Sequence, residues 1–237
     1  MNNTILHYLP ILTTIVSILF ARTIFQRYLG NRMSLHLLWW GMGVVVYGLG
    51  TFAESWITLM GWNPFIFKFW YIVGALLGGA PLAQGTVWFL LKSDTARRLT
   101  YGMVGYVVLA SVFVVASPIN YDLINPNLPS GKVFAWQWVR AFSPFINLYA
   151  VIFLIGGAIL SAYRFGIAFR LNRNNRQVAW DRMIGNILIA IGAILPGIGG
   201  SASRAGHTEI LYLTEILGIS LIWLGYWFNV RKRPVKI

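Results

Sequence analysis

Residues 35–91 read LHLLWWGMGVVVYGLGTFAESWITLMGWNPFIFKFWYIVGALLGGAPLAQGTVWFLL, and this stretch decides the fold. Two apolar runs, 35–60 and 66–91, flank a short turn carrying Gly61, Asn63 and Pro64. Each is long enough to cross a hydrocarbon core of roughly 30 Å as a helix. Backbone amides in lipid have no water to bond, so a spanning segment must satisfy them internally, which a helix does. Glu54 is the only carboxylate in either run.

Working outward, five more runs of the same kind appear. The seven are placed near 5–26, 35–60, 66–91, 99–117, 137–168, 179–202 and 208–230, giving an all-α membrane protein, a single seven-helix transmembrane domain over 1–237. The composition agrees: 57% of the 237 residues are hydrophobic and 11% charged, with a mean hydropathy of +0.66. A soluble domain carries about 25% charge. Between 118 and 136, Pro118, Pro126, Pro129 and Gly131 mark the longest connection as an irregular outer lid. The start of the chain has neither a basic n-region nor a small-residue cleavage site, so the first run is expected to stay as a span.

Orientation follows from the basic residues. Fifteen of the nineteen Lys and Arg fall on one side: Arg22, Arg27, Arg32, Lys92, Arg97, Arg98, Arg164, Arg170, Arg173, Arg176, Arg182, Arg231, Lys232, Arg233 and Lys236. Lys68, Lys132, Arg140 and Arg204 fall on the other. The positive-inside rule puts the fifteen in the cytoplasm, with the N-terminus outside and the C-terminus cytoplasmic. The net charge of +13 is thus a property of the inner face, where it meets anionic lipid, and nucleic acid is not an expected partner. Zero cysteines exclude disulfides and thiolate chemistry.

An ionisable group in hydrocarbon costs at least ~2.5 kcal/mol, so each needs a partner or a wet cavity. Glu54 and Glu215 both lie roughly 10 Å below the outer end of their spans at 1.5 Å per residue. Arg140, Ser143 and Asn147 form a polar stripe on the fifth span. Gln84 lies on a stripe of the third, Arg204 ends the sixth, and Tyr212 shares a face with Glu215 on the seventh. The expectation is a polar pocket in the outer half, lined by Glu54, Gln84, Arg140, Asn147, Arg204, Tyr212 and Glu215. Arg140 and Arg204 would be the counter-ions, and the 118–136 loop the gate. Small residues at helix-contact spacing, Gly74 with Gly78, Gly157 with Ser161, and the Gly197, Gly199, Gly200 group, are read as packing sites.

Catalytic and metal signatures are lacking. Gly199-Gly200-Ser201-Ala202-Ser203 stops short of a nucleophile-elbow pattern, and there is no paired-histidine motif or phosphate loop. No catalytic residue, metal or cofactor is expected. His7 and His207 are the one pair that could hold a metal or an outer-leaflet haem if the first helix closed against the seventh; two unrelated interfacial histidines is the preferred reading.

The 35–91 segment resembles the second and third helices of the seven-transmembrane sensor regions of bacterial membrane histidine kinases. It has an acid-ended helix, a short turn, then an aromatic-rich opening, Phe67-Lys68-Phe69-Trp70-Tyr71. A fuller set is similar to uncharacterised bacterial seven-helix integral membrane proteins. It comprises Glu54, Phe67-Lys68-Phe69-Trp70-Tyr71, Gln84-Gly85-Thr86, Asn186 with Leu195-Pro196, Gly199 to Arg204, and Tyr212 with Glu215. The resemblance implies a bacterial cytoplasmic (inner) membrane location and carries no activity with it. The sequence ends shortly after the seventh span, so no output domain is expected. The expected role is a stand-alone binding or sensory module, not an enzyme, taking a small or lipid-like ligand, with a membrane protein or a second copy as possible partner. The alternatives are a structural or cofactor-holding subunit of a larger complex and, third, a transporter or ion-conducting protein.

Overall fold

The computed structural model describes residues 6–31, 34–124, 130–171 and 175–231. Among these residues it is all-α, with seven helices long and apolar enough to cross a membrane. They are α1 (Leu6–Gly30), α2 (Leu35–Met60), α3 (Pro64–Leu90), α4 (Ser93–Ala116), α5 (Gln137–Leu171), α6 (Arg176–Arg204) and α7 (Thr208–Val230). Two ends of the bundle can be told apart. The loop end holds the 118–136 connection, and the basic end holds Arg27, Arg97, Arg98, Arg176, Arg182 and Arg231. Arg32, Arg173, Lys232, Arg233 and Lys236 lie outside the described residues.

Helix α1 packs along both α2 and α7, α6 runs against α7 and α5, and α3 joins α2 to α5. Helix α4 sits outside this ring against α3 and α5. The α6–α7 seam is a glycine contact repeated every two turns. Gly185 lies opposite Gly225, Gly192 opposite Gly218, and Gly199 opposite Leu211. A Cβ on Gly192 would stand 2.6 Å from the Gly218 carbonyl oxygen, and one on Gly185 would stand 2.7 Å from that of Gly225. Backbone lies close to backbone at Gly185 and Gly192, with the Asn229 and Ile222 side chains packed beside it, and Gly199 meets both the Leu211 backbone and the Thr214 side chain. Gly197 and Gly200, expected as packing residues, face open space instead. A seven-residue repeat keeps one stripe on the partner; the i, i+3 spacing of 197 and 200 lies off that stripe.

Helices α3 and α5 are not regular. In α3 the turns at Tyr71–Leu77 are π-helical, and the chain breaks at Gly78, whose φ of +37° suits glycine. A new helix then starts at Ala80 with Pro81 in its first turn. Ser143 of α5 donates to the Ala75 carbonyl (2.5 Å), and Asn147 donates to the Ser143 hydroxyl (3.2 Å). In α5 a π-helical stretch covers Val151–Ile155. Helix-contact glycines complete the packing: Gly157 against Thr86, and Gly43 against the Leu82 backbone.

The described parts of the 118–136 connection, 118–124 and 130–136, are more ordered than an irregular lid. Ile119 and Phe134 form an antiparallel bridge, flanked by short 3-10 turns at Tyr121–Leu123 and Gly131–Val133. Val133 and Phe134 are buried among Phe67, Tyr71, Val114 and Val139. Lys68 donates to the Val115 carbonyl at the end of α4 (2.7 Å), a cation on a helix C-terminus. Pro126 and Pro129 lie outside the described residues.

Candidate functional site: a carboxyl pair between α2 and α7

Helices α2 and α7 are both laid along α1, and in the loop-end half the space between them is bridged by side chains. The Glu54 and Glu215 carboxyl groups come within hydrogen-bonding reach of one another. Glu54 is 3% exposed. Its Oε1 accepts from the Trp70 indole N–H at 2.9 Å. The second carboxylate oxygen of each glutamate is buried and meets no donor among the described residues. Tyr47 of α2 donates its hydroxyl to the Glu215 backbone carbonyl at 2.9 Å, tying the two helices one turn below.

Around the pair the walls are hydroxyls and aromatic rings. Tyr212 is buried one turn before Glu215, and the His7 ring lies edge-on to it at 5.7 Å. On the α1 side, Thr14 and Thr51 share a hydrogen bond of 2.9 Å, Thr14 also donates to Pro10, and Ser55 donates to the Thr51 carbonyl at 2.8 Å. Toward the basic end, between α1, α2 and α7, apolar side chains take over. Phe20, Ile24, Val44, Leu82, Ile219 and Ile222 form an apolar core there, with Phe20 stacked on Trp223 at 5.5 Å. Phe134 of the loop reaches the site only through rings, packing on Phe67, which stacks on Trp70.

Of the residues expected to line one pocket, Glu54, Tyr212 and Glu215 gather here and the others are held elsewhere. Among the described residues no Lys, Arg or His forms an ion pair with either glutamate. Arg140 donates to Gln137 (2.8 Å) and lies against Gly131. Arg204 is exposed and donates to Ser201 one turn back (3.0 Å). Both arginines sit where α5 begins and α6 ends, so a local acceptor and solvent satisfy them without reaching inward. Asn147 supports the break in α3. Gln84 sits in the basic-end half of α3, wholly buried, and is saturated: it donates to Thr100 (2.7 Å) and to the Ala96 carbonyl (3.2 Å), and accepts from Tyr149 (2.5 Å). It clamps α3, α4 and α5 together. His207 is exposed at the start of α7, with no ring contact to His7.

No family model, no curated protein and no solved structure matches this chain. The reading of the site therefore rests on its own chemistry. Sequence reasoning missed Tyr47, Thr14 and Thr51. Hydroxyls are common in apolar helices because they can bond the carbonyl one turn back, as Thr13, Thr14 and Ser55 do. The available signal was spacing: Tyr47, Thr51 and Glu54 follow one another at i, i+4, i+7, one helical face.

Proposed function

We propose that this chain is a bacterial inner-membrane binding module, N-terminus outside, whose site is the Glu54–Glu215 pair and whose ligand presents a cation to it. The observation that carries the reading is two carboxyl groups within reach of one another, each with a buried oxygen that lacks a donor, and with no basic side chain paired to either among the described residues. Two carboxylates in such a place cannot both be charged unless a cation lies between them. A proton is the simplest occupant: one shared between the carboxyls supplies the donor that their unpaired oxygens need. A small cationic ligand competes for the same place, and the aromatic rings of Trp70 and Tyr212 suit an ammonium group. The apolar core on the basic-end side favours a closed site over a conducting path. The likeness to bacterial sensor regions fits a module that reports occupancy to another membrane protein.

Infrared spectroscopy of the purified protein tests this. The wild type should give a carboxylic-acid band that shifts in deuterated buffer and disappears in the Glu54→Gln, Glu215→Gln double variant. Sodium, ammonium and tetramethylammonium chlorides, compared at one ionic strength, should raise the melting temperature unequally in the wild type and equally in the variant. An unchanged band in the variant, or the same ranking of cations in both proteins, would refute the proposal.

A further inference from the structure

A second site lies at the opposite end of the bundle. Between α1, α6 and α7 a half-open cleft of about 570 Å³ is lined by Arg27, Asp181, Arg182, Asn229 and Arg231, with Val178 and Phe228 beside them. Three guanidinium groups face one carboxylate, leaving two positive charges in excess. We infer that this cleft binds a phosphate group, that of an anionic phospholipid headgroup.

The cleft is built rather than being a chance gathering of surface charge. Asp181 is 3% exposed and takes two hydrogen bonds from Arg231, Nε to Oδ2 at 3.0 Å and Nη2 to Oδ1 at 2.5 Å. The guanidinium of Arg231 also lies over the rings of Trp227 and Phe228, 4.8 and 4.7 Å from their centroids. Its orientation is thus set by a buried acid and two aromatic faces. Five N–H groups less the two given to Asp181 leave three, enough for a phosphate in addition. Arg182 lies over the Phe165 ring at 5.4 Å. The wall behind is fixed too: Asn229 accepts from Asn186 (3.1 Å) and donates to the Gly225 carbonyl (2.9 Å). The Asn229 amide thus has both its oxygen and its nitrogen engaged.

Two features favour a lipid over a free ion. On the reading that these helices cross a bilayer, the cleft sits at headgroup depth, where pockets of arginine between helices take anionic lipids. Leading away from it down α7, Trp227 and Leu224 are exposed at 48% and 45%, an apolar track for an acyl chain.

Native mass spectrometry from detergent, with phosphatidylglycerol and phosphatidylcholine offered together, is the test. The wild type should retain phosphatidylglycerol preferentially, and the Arg27→Gln, Arg182→Gln double variant should lose about tenfold of that preference. A second double variant, Arg97→Gln with Arg98→Gln, removes as much charge from the exposed end of α4 and should leave it intact. Inorganic phosphate, titrated against lipid-free protein, separates the sources. Stabilisation by phosphate that depends on Arg27 and Arg182, without any lipid preference, would keep the phosphate site and replace the lipid by the free ion. Equal losses in the two double variants, or none in either, would overturn the inference, because a general basic face explains both results.

Discussion

At the scale of single residues, the contrast between Glu54 and Gln84 separates a reactive group from a structural one. Both are buried on neighbouring helices, and both stand out in apolar runs. Gln84 has every polar atom engaged, whereas Glu54 and Glu215 each keep an oxygen without a donor. Gln84→Leu should therefore destabilise the bundle by about 1–3 kcal/mol, because the hydroxyls of Tyr149 and Thr100 lose a buried partner. Cation-dependent shifts in melting temperature should survive that change; their loss would tie Gln84 to the acid pair after all. The acids were legible from sequence because a carboxylate in a span is costly wherever it occurs. Their environment was not. Charge complementarity suggested Arg140 and Arg204 as partners, but an arginine near a helix end is satisfied within one turn, as Ser201 and Gln137 demonstrate.

At the scale of elements, hydropathy located all seven helices, since spanning length and apolar content are read directly from composition. What escaped it was departure from regularity. The π-helical turns of α3 and α5 are a matter of which carbonyl an amide chooses, and no residue type encodes that choice alone. The glycines of α6 divide by phase. The obvious cluster at 197–200 supplied one contact residue, Gly199, while Gly185 and Gly192 complete the seam two turns apart. Gly192→Ala should force α6 and α7 apart and cost about 1–3 kcal/mol, read as a lowered melting temperature. Gly200→Ala, adding the same methyl to open space, should be neutral or slightly stabilising. Equal effects at the two positions would mean that the helices do not meet as described.

At the scale of the whole molecule, the carboxyl pair lies in the loop-end half with an apolar core below it between α1, α2 and α7, while the buried amide of Gln84 lies in the basic-end half between α3, α4 and α5. Charge is divided between the two ends, with most arginines at the basic end. Intact cells carrying a C-terminal epitope should leave it inaccessible to added protease, and inverted membrane vesicles should expose it. Cleavage in intact cells would reverse the topology, and with it the leaflet assigned to the Arg27 cleft. The seven-helix, all-α architecture was legible from sequence, but which helices are neighbours was not. That depends on backbone approaches such as Gly43 on Leu82, which hydropathy does not record. Because Glu54 lies on α2 and Glu215 on α7, the two acids come from segments far apart in the chain. In synthesis from the N-terminus, Glu54 and the Trp70 indole are both made well before Glu215. A chain made only as far as α6 therefore holds one half of the pair, and the site exists only where α7 has joined α2.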